Sequence, residues 1–323
     1  MTKTLLAASF LLALAAPASA QRPDGPKHFI FFAHERERIT ETAFISNPNI
    51  AGAQLKYSWR ELEPVRDRYD FRSIEHDLAV LGKHGKRLWI QLQDVSFSET
   101  QVVPDYLLTD PEFHGGVARE AEDGRFSGLT ARRWDPAVRD RFAKLLSALG
   151  AQFDARIEGL NTAETAVGLN AEQQQPTGFT YDNYAAGMRE IMSMAKAAFP
   201  RSHVVIYANF MPGEALPDND RGYLRGIYEH AQRTGVGVGG PDILPLRRWQ
   251  QLHSLPLIAA RGSHVVGAMA VQDGNLADRD RRTGQRITVA ELARYATDTL
   301  RLDYIFWGTE EPYYSKEILP FLR

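Results

Sequence analysis

Residues 74–93 read IEHDLAVLGKHGKRLWIQLQ, and they contain both halves of the unit that builds the fold. Ile74, Leu78 and Leu81 fall at i, i+4 and i+7, which puts three apolar side chains on one face of a helix. Gly85 then stops the helix, since a residue without Cβ can turn the chain at no steric cost. Arg87–Gln93 follows as a nearly continuous apolar run. A strand covered on both faces reads this way.

The same alternation continues in both directions. Comparable runs occupy His28–Ala33, Gly52–Tyr57, Ile157–Asn161, His203–Asn209, Val236–Gly240, Val265–Val271 and Tyr304–Trp307. Helical stripes lie between them. Val138, Phe142, Leu145, Leu146 and Leu149 follow Asp135 as N-cap and Pro136 at the first helical position. Met188, Ile191, Met192 and Ala195 form another stripe, and Leu224, Ile227, Tyr228 and Ala231 a further one. Thr288 and Glu291 have capping-box spacing. Met and aromatic residues at this spacing read as core. The repeated unit predicts the α/β class, a single (β/α)8 TIM barrel over residues 21–323. An open doubly wound sheet would be expected to show a glycine-rich phosphate loop, and the sequence has none.

Composition narrows the functional class. The chain has 323 residues, 44% hydrophobic and 24% charged, with a formal net charge of -2. That balance is globular, and it supplies no field for gathering nucleic acid. Cysteine is absent, which removes thiolate nucleophiles, disulfides and Cys-ligated metal sites together. Residues 1–20 read as a signal peptide: Lys3, the apolar run Leu5–Ala16, then Ala18-Ser19-Ala20 as the cleavage signal. The expected location is therefore a bacterial periplasm or the exterior. No later segment is apolar enough to span a bilayer, and oligomeric state is not legible.

In a barrel of this kind the active groups sit at the carboxyl ends of the strands. That rule selects His34 and Glu35, Trp59, Asp94, Asn161 and Glu164, Asn209, Asp242, Gln272 and Asp273, then Trp307, Glu310 and Glu311. The long segment from Val95 to Arg133 reads as a lid or substrate-binding loop. No HxH pair, HExxH helix or GxSxG elbow is present, and Lys56 is only a weak Schiff-base candidate. No metal or cofactor is expected. Carboxylates with tryptophans and amides around them suit a carbohydrate partner: one acid protonates the leaving oxygen while a second carboxylate attacks or activates water. Glu164 is the candidate acid. Asp273 is the first candidate for the second carboxylate, followed by Asp242 and Asp94. Trp59 and Trp307 would stack on sugar rings, and Asn161, Asn209 and Gln272 would bind hydroxyls. The run Arg279–Arg282, interleaved with Asp280, reads as a solvated loop, with an acidic polysaccharide as its functional alternative.

These residues also carry a resemblance. Trp59, Leu62-Glu63-Pro64 and Tyr69-Asp70-Phe71 resemble the passage after the second strand of clan A glycoside hydrolases, notably the beta-galactosidase-like families. Arg87–Leu92 looks like their third strand and Gly159–Glu164 like the fourth, whose terminal glutamate is the acid/base. Tyr304–Trp307 looks like the eighth, where a tryptophan often floors the sugar subsite. The resemblance implies Glu164 as acid/base and a structural role for Glu63. Two departures stand out. Ala163 precedes Glu164 where the clan has Asn, and the seventh strand runs into Gln272-Asp273-Gly274 where the clan has its nucleophilic Glu. Asp273 would then act either as nucleophile or as the base of an inverting reaction. A non-catalytic carbohydrate-binding barrel and a metal-dependent hydrolase such as a deacetylase are the competing readings.

Overall fold

A computed structural model of the chain describes residues 25–122, 125–170, 176–272 and 274–323. The signal segment with its cleavage point at Ala20, and Asp273, lie outside the described residues. Strand β1 (Lys27–Ala33) shows how the barrel is layered. Its residues alternate faces, so Phe29 and Phe31 enter one buried cluster while Ile30 and Phe32 enter another. The first cluster fills the interior of the barrel, with Trp89, Val205, Tyr207, Tyr304 and Phe306. The second packs the outer strand faces against helices.

Among the described residues, eight parallel strands close the barrel. After β1 come β2 (Ile50–Ser58) and β3 (Arg87–Gln93). The connection that follows β3 carries β4 (Val95–Ser96), β5 (Val117–Glu122) and β6 (Arg125–Ala131), an antiparallel sheet of its own. The barrel resumes with β7 (Gly159–Thr162), β8 (His203–Tyr207), β9 (Gly237–Gly240), β10 (Gly267–Val271) and β11 (Tyr304–Gly308), which pairs back to β1. All eight apolar runs read from the sequence are barrel strands.

The helices also follow the sequence pattern. Arg72–Gly82 buries Ile74 and Leu81. Pro136–Phe153 buries the whole predicted stripe, and the Asp135 carboxylate accepts from the Ala137 N–H at 2.9 Å, so the cap forms as read. Tyr181–Ala198 and Tyr223–Thr234 form on their stripes, and the Thr288–Glu291 capping box closes in both directions. No helix of the described residues is long and apolar enough to cross a membrane.

The barrel axis is filled, not open. Trp89 packs against Tyr304 and Phe306 at centroid distances of 4.8 and 4.9 Å. Gly159 makes room for its ring, since a Cβ there would stand 2.7 Å from the indole. Nearer the rim the filling turns polar. The Trp89 indole N–H and the Gln54 amide each donate to Asn161 Oδ1 at 2.9 Å, and Gln54 also donates to the Tyr207 hydroxyl. This layer is the floor of the site.

Candidate active site

Each barrel strand points alternate side chains inward, so its last inward residue stands at the rim. On the floor opens a cavity of about 710 Å³. Glu164, Asp242 and Gln272 line it from just past the ends of β7, β9 and β10; Lys56, Gln91 and Gln93 line it from β2 and β3. The lid contributes Phe97, 59% exposed, as an apolar wall. His34, Glu35 and Glu310 also reach the cavity, with Glu35 paired to Arg38 at 2.7 Å. Glu311 instead accepts from the Ser315 hydroxyl on the exposed last turn.

Glu164 has the electrostatics of a proton donor. Withdrawal from water pushes its pKa up to about 7, and the charge of Asp242 adds to the rise. The Asn209 amide, buried at the end of β8, donates to Glu164 Oε2 and partly offsets that rise. Asp242 is raised by its own burial, and Asn275 holds its Oδ1 with a 2.8 Å hydrogen bond. The two acids therefore share one cavity, each gripped by a neutral amide and neither by a cation. Glu120, on the lid strand β5, is a third acid in the neighbourhood. Burial raises its pKa, while its Oε2 accepts from the Gly168 N–H at 2.8 Å.

Asp94 is different, and the structure corrects its reading as a substrate-binding or catalytic group. Both its oxygens are taken by Arg133, at 2.7 Å each, in a pair with almost no solvent contact. The same guanidinium donates to the backbone carbonyl of Glu164 at 2.7 Å and to the Tyr184 hydroxyl at 3.0 Å. Arg133 thus ties the root of the lid to the loop that carries the acid. Sequence reasoning missed it, since nothing local marks a partner 39 residues from Asp94.

The tryptophan readings are corrected as well. Trp59 is fully buried outside the barrel, its ring 5.0 Å from Phe142 and its N–H on Glu63. Trp307 is fully buried on the outer face of β11, its N–H on His28 and its ring against Phe321. Neither meets the cavity. Asn161 is a floor residue with its oxygen already doubly bonded, so it does not offer that acceptor to a sugar. Glu63 has the structural role expected: buried, it receives Trp59, the Tyr106 hydroxyl and the Arg141 guanidinium. Gln91 and Gln93 were missed as site residues. Their signal was available, as two polar residues at period two in an otherwise apolar strand. Among the described residues no three His, Asp or Glu side chains gather as a metal ion would need.

No family model and no curated relative matches the chain. Solved structures do. The catalytic domain of beta-amylase from Paenibacillus polymyxa superposes with a TM-score of 0.60 at 6% identity, over 88% of this chain and 92% of that one. The lactosyl-enzyme intermediate of endo-glycoceramidase II from Rhodococcus sp. gives 0.54 at 11% identity, over 88% and 73%. What is shared is the barrel. At such identities the likeness establishes the fold alone, a (β/α)8 barrel.

Proposed function

We propose that the chain is a glycoside hydrolase acting on a poly- or oligosaccharide, with Glu164 as general acid. The observation that carries this reading is the pairing of Glu164 and Asp242 in one rim cavity. One acid holds its proton near neutral pH, and a second stands within electrostatic reach of it. The barrels it resembles, a beta-amylase and an endo-glycoceramidase by name, support the reaction class. Of the other carboxylates lining the described cavity, Asp242 is the one whose charge raises the Glu164 pKa, and Asp273, next to Gln272 in the sequence, is its rival for that role. Gln272 and Asn209 supply amides near the cleaved bond. The leaving oxygen takes the proton of Glu164, and the ionised partner attacks the anomeric carbon or activates water.

The sign of the pH dependence follows. Glu164 must be protonated, so activity falls as pH rises through about 7. Its partner must be ionised, so activity also falls on the acid side. Digestion of a glycan panel with NMR detection of the first-formed anomer tests the reading. Wild type releasing reducing ends while Glu164→Gln and Asp242→Asn do not would support it. Loss in Asp273→Asn with Asp242→Asn active would move the second role to Asp273. Glycan binding without any released ends would favour a binding barrel. We further propose export to a periplasm or the exterior, supported by residues 1–20 and tested by N-terminal sequencing of the mature protein.

A further inference from the structure

A buried polar side-chain atom without a hydrogen-bond partner is uncommon in a folded chain, because its withdrawal from water is left uncompensated. Among the described residues two such atoms line the cavity, and both sit on β3: Gln91 Oε1 and Gln93 Nε2. Their side chains belong to residues only 6% and 7% exposed. The other unpaired atoms, Gln54 Oε1 and Glu120 Oε1 among them, lie on residues that do not line it. Residues two apart on a strand share a face, and here it is the inward one, since Trp89 two positions earlier fills the barrel. The two Cα atoms stand about 7 Å apart along such a strand, a span that long amide side chains can bring to bear on one sugar ring.

The strand pairing sets these amides beside the acid. β3 is the hydrogen-bonded neighbour of β7, with Gln91 in register with Asn161 and Leu92 with Thr162. The Ala163 N–H then donates to the Leu92 carbonyl at 3.1 Å, which carries the pairing to the residue directly before Glu164. Ala163 also lines the cavity and brings only a methyl group there, so the spare hydrogen-bonding capacity next to the acid comes from β3. We infer that Gln91 and Gln93 form a subsite for hydroxyls of one neutral sugar unit, adjacent to Glu164. The inference deepens the proposed function and rests on it. One atom is an acceptor in need of a donor, and the other is a donor in need of an acceptor. A hydroxyl is both, so neighbouring hydroxyls of one ring satisfy the pair: one donates to Gln91 Oε1 and the other accepts from Gln93 Nε2. A carboxylate has no proton for Gln91 Oε1, and an ammonium has no lone pair for the Gln93 N–H. A site of this kind discriminates strongly against a unit that leaves its amides unmatched.

The test is calorimetry with cellohexaose, xylohexaose, mannohexaose, maltohexaose and laminarihexaose, and hexagalacturonate as the anionic control. Binding is measured to the Glu164→Gln protein alone and combined with Gln91→Met or Gln93→Met, where methionine keeps the length and removes the amide. At least one neutral hexaose should bind, more tightly than hexagalacturonate, and each Met variant should weaken it about tenfold. Denaturant unfolding of the ligand-free proteins is the second readout. An amide unpaired within the fold does not stabilise it, so both Met variants should be at least as stable as their parent. No binding of any neutral hexaose, tighter binding of hexagalacturonate, an affinity unmoved in either Met variant, or a loss of stability in either would overturn the inference. The two proposals fail separately. A hexaose bound through both amides but never cut by wild type would end the hydrolase reading and leave the subsite. A hexaose cut by wild type, with kcat/KM unmoved by both Met substitutions, would do the reverse.

Discussion

Asp94 and Glu164 occupy equivalent places, each the first residues past a barrel strand on the same rim, and they behave as different chemical objects. Asp94 faces a guanidinium that takes both oxygens, so neither is left for a ligand. Glu164 is held away from water beside a fellow acid, and both raise its proton affinity toward neutrality against the pull of the Asn209 amide. Location on the rim makes a residue eligible for chemistry. The partner decides whether it is a proton donor or a structural anchor.

That contrast can be broken by substitution. The largest effect should come from Glu164→Gln, which is expected to cut kcat by about 10²- to 10⁴-fold, the usual worth of a positioned general acid. Circular dichroism should show the fold intact. Arg133→Met should instead act on stability, since it strands the buried Asp94 carboxylate at a cost of about 3–5 kcal/mol, read by denaturant unfolding. An Arg133→Met variant as stable as wild type would erase the distinction between the two acids.

Stability should respond to pH through Glu164. The folded-state pKa of Glu164 lies above the unfolded value, so folding favours its protonated form. The resulting penalty is absent below about pH 4.5 and complete above about pH 7. Glu164→Gln should therefore be more stable than wild type at pH 8, by at most roughly 2–3 kcal/mol, and no more stable at pH 4.5. Asn209→Leu sharpens the same point. Without the amide that favours the ionised form, the alkaline limb of the kcat/KM profile should move upward. The smallest effect is expected at Trp307→Phe, where a buried ring loses size. Stability should fall by about 1–2 kcal/mol while KM stays unchanged, because the ring does not meet the cavity.

The legible and illegible parts of the sequence divide along physical lines. Strands buried on both faces are apolar almost throughout, so β3 or β8 stands out without any partner in view. The lid sheet did not. β5 and β6 are short, half-exposed and mixed, as VAREAE and RFSGLTA show, and their pairing depends on contacts the pattern does not encode. Trp307 was misread because inward and outward positions in a strand differ by one residue: Phe306 fills the barrel and Trp307 faces the helices. Trp59 opens a helical turn just beyond β2, and that turn carries its ring to Phe142. Glu164 stands out in the sequence because strand end and motif coincide there. Arg133 does not, since the bond that defines it closes a long excursion from Asp94.

The aromatic stopper of Trp89, Tyr304 and Phe306 imposes a rule on traffic. With the far end of the cylinder sealed, whatever enters the rim cavity must leave by the side it came in, since the aromatic filling leaves no passage along the barrel axis.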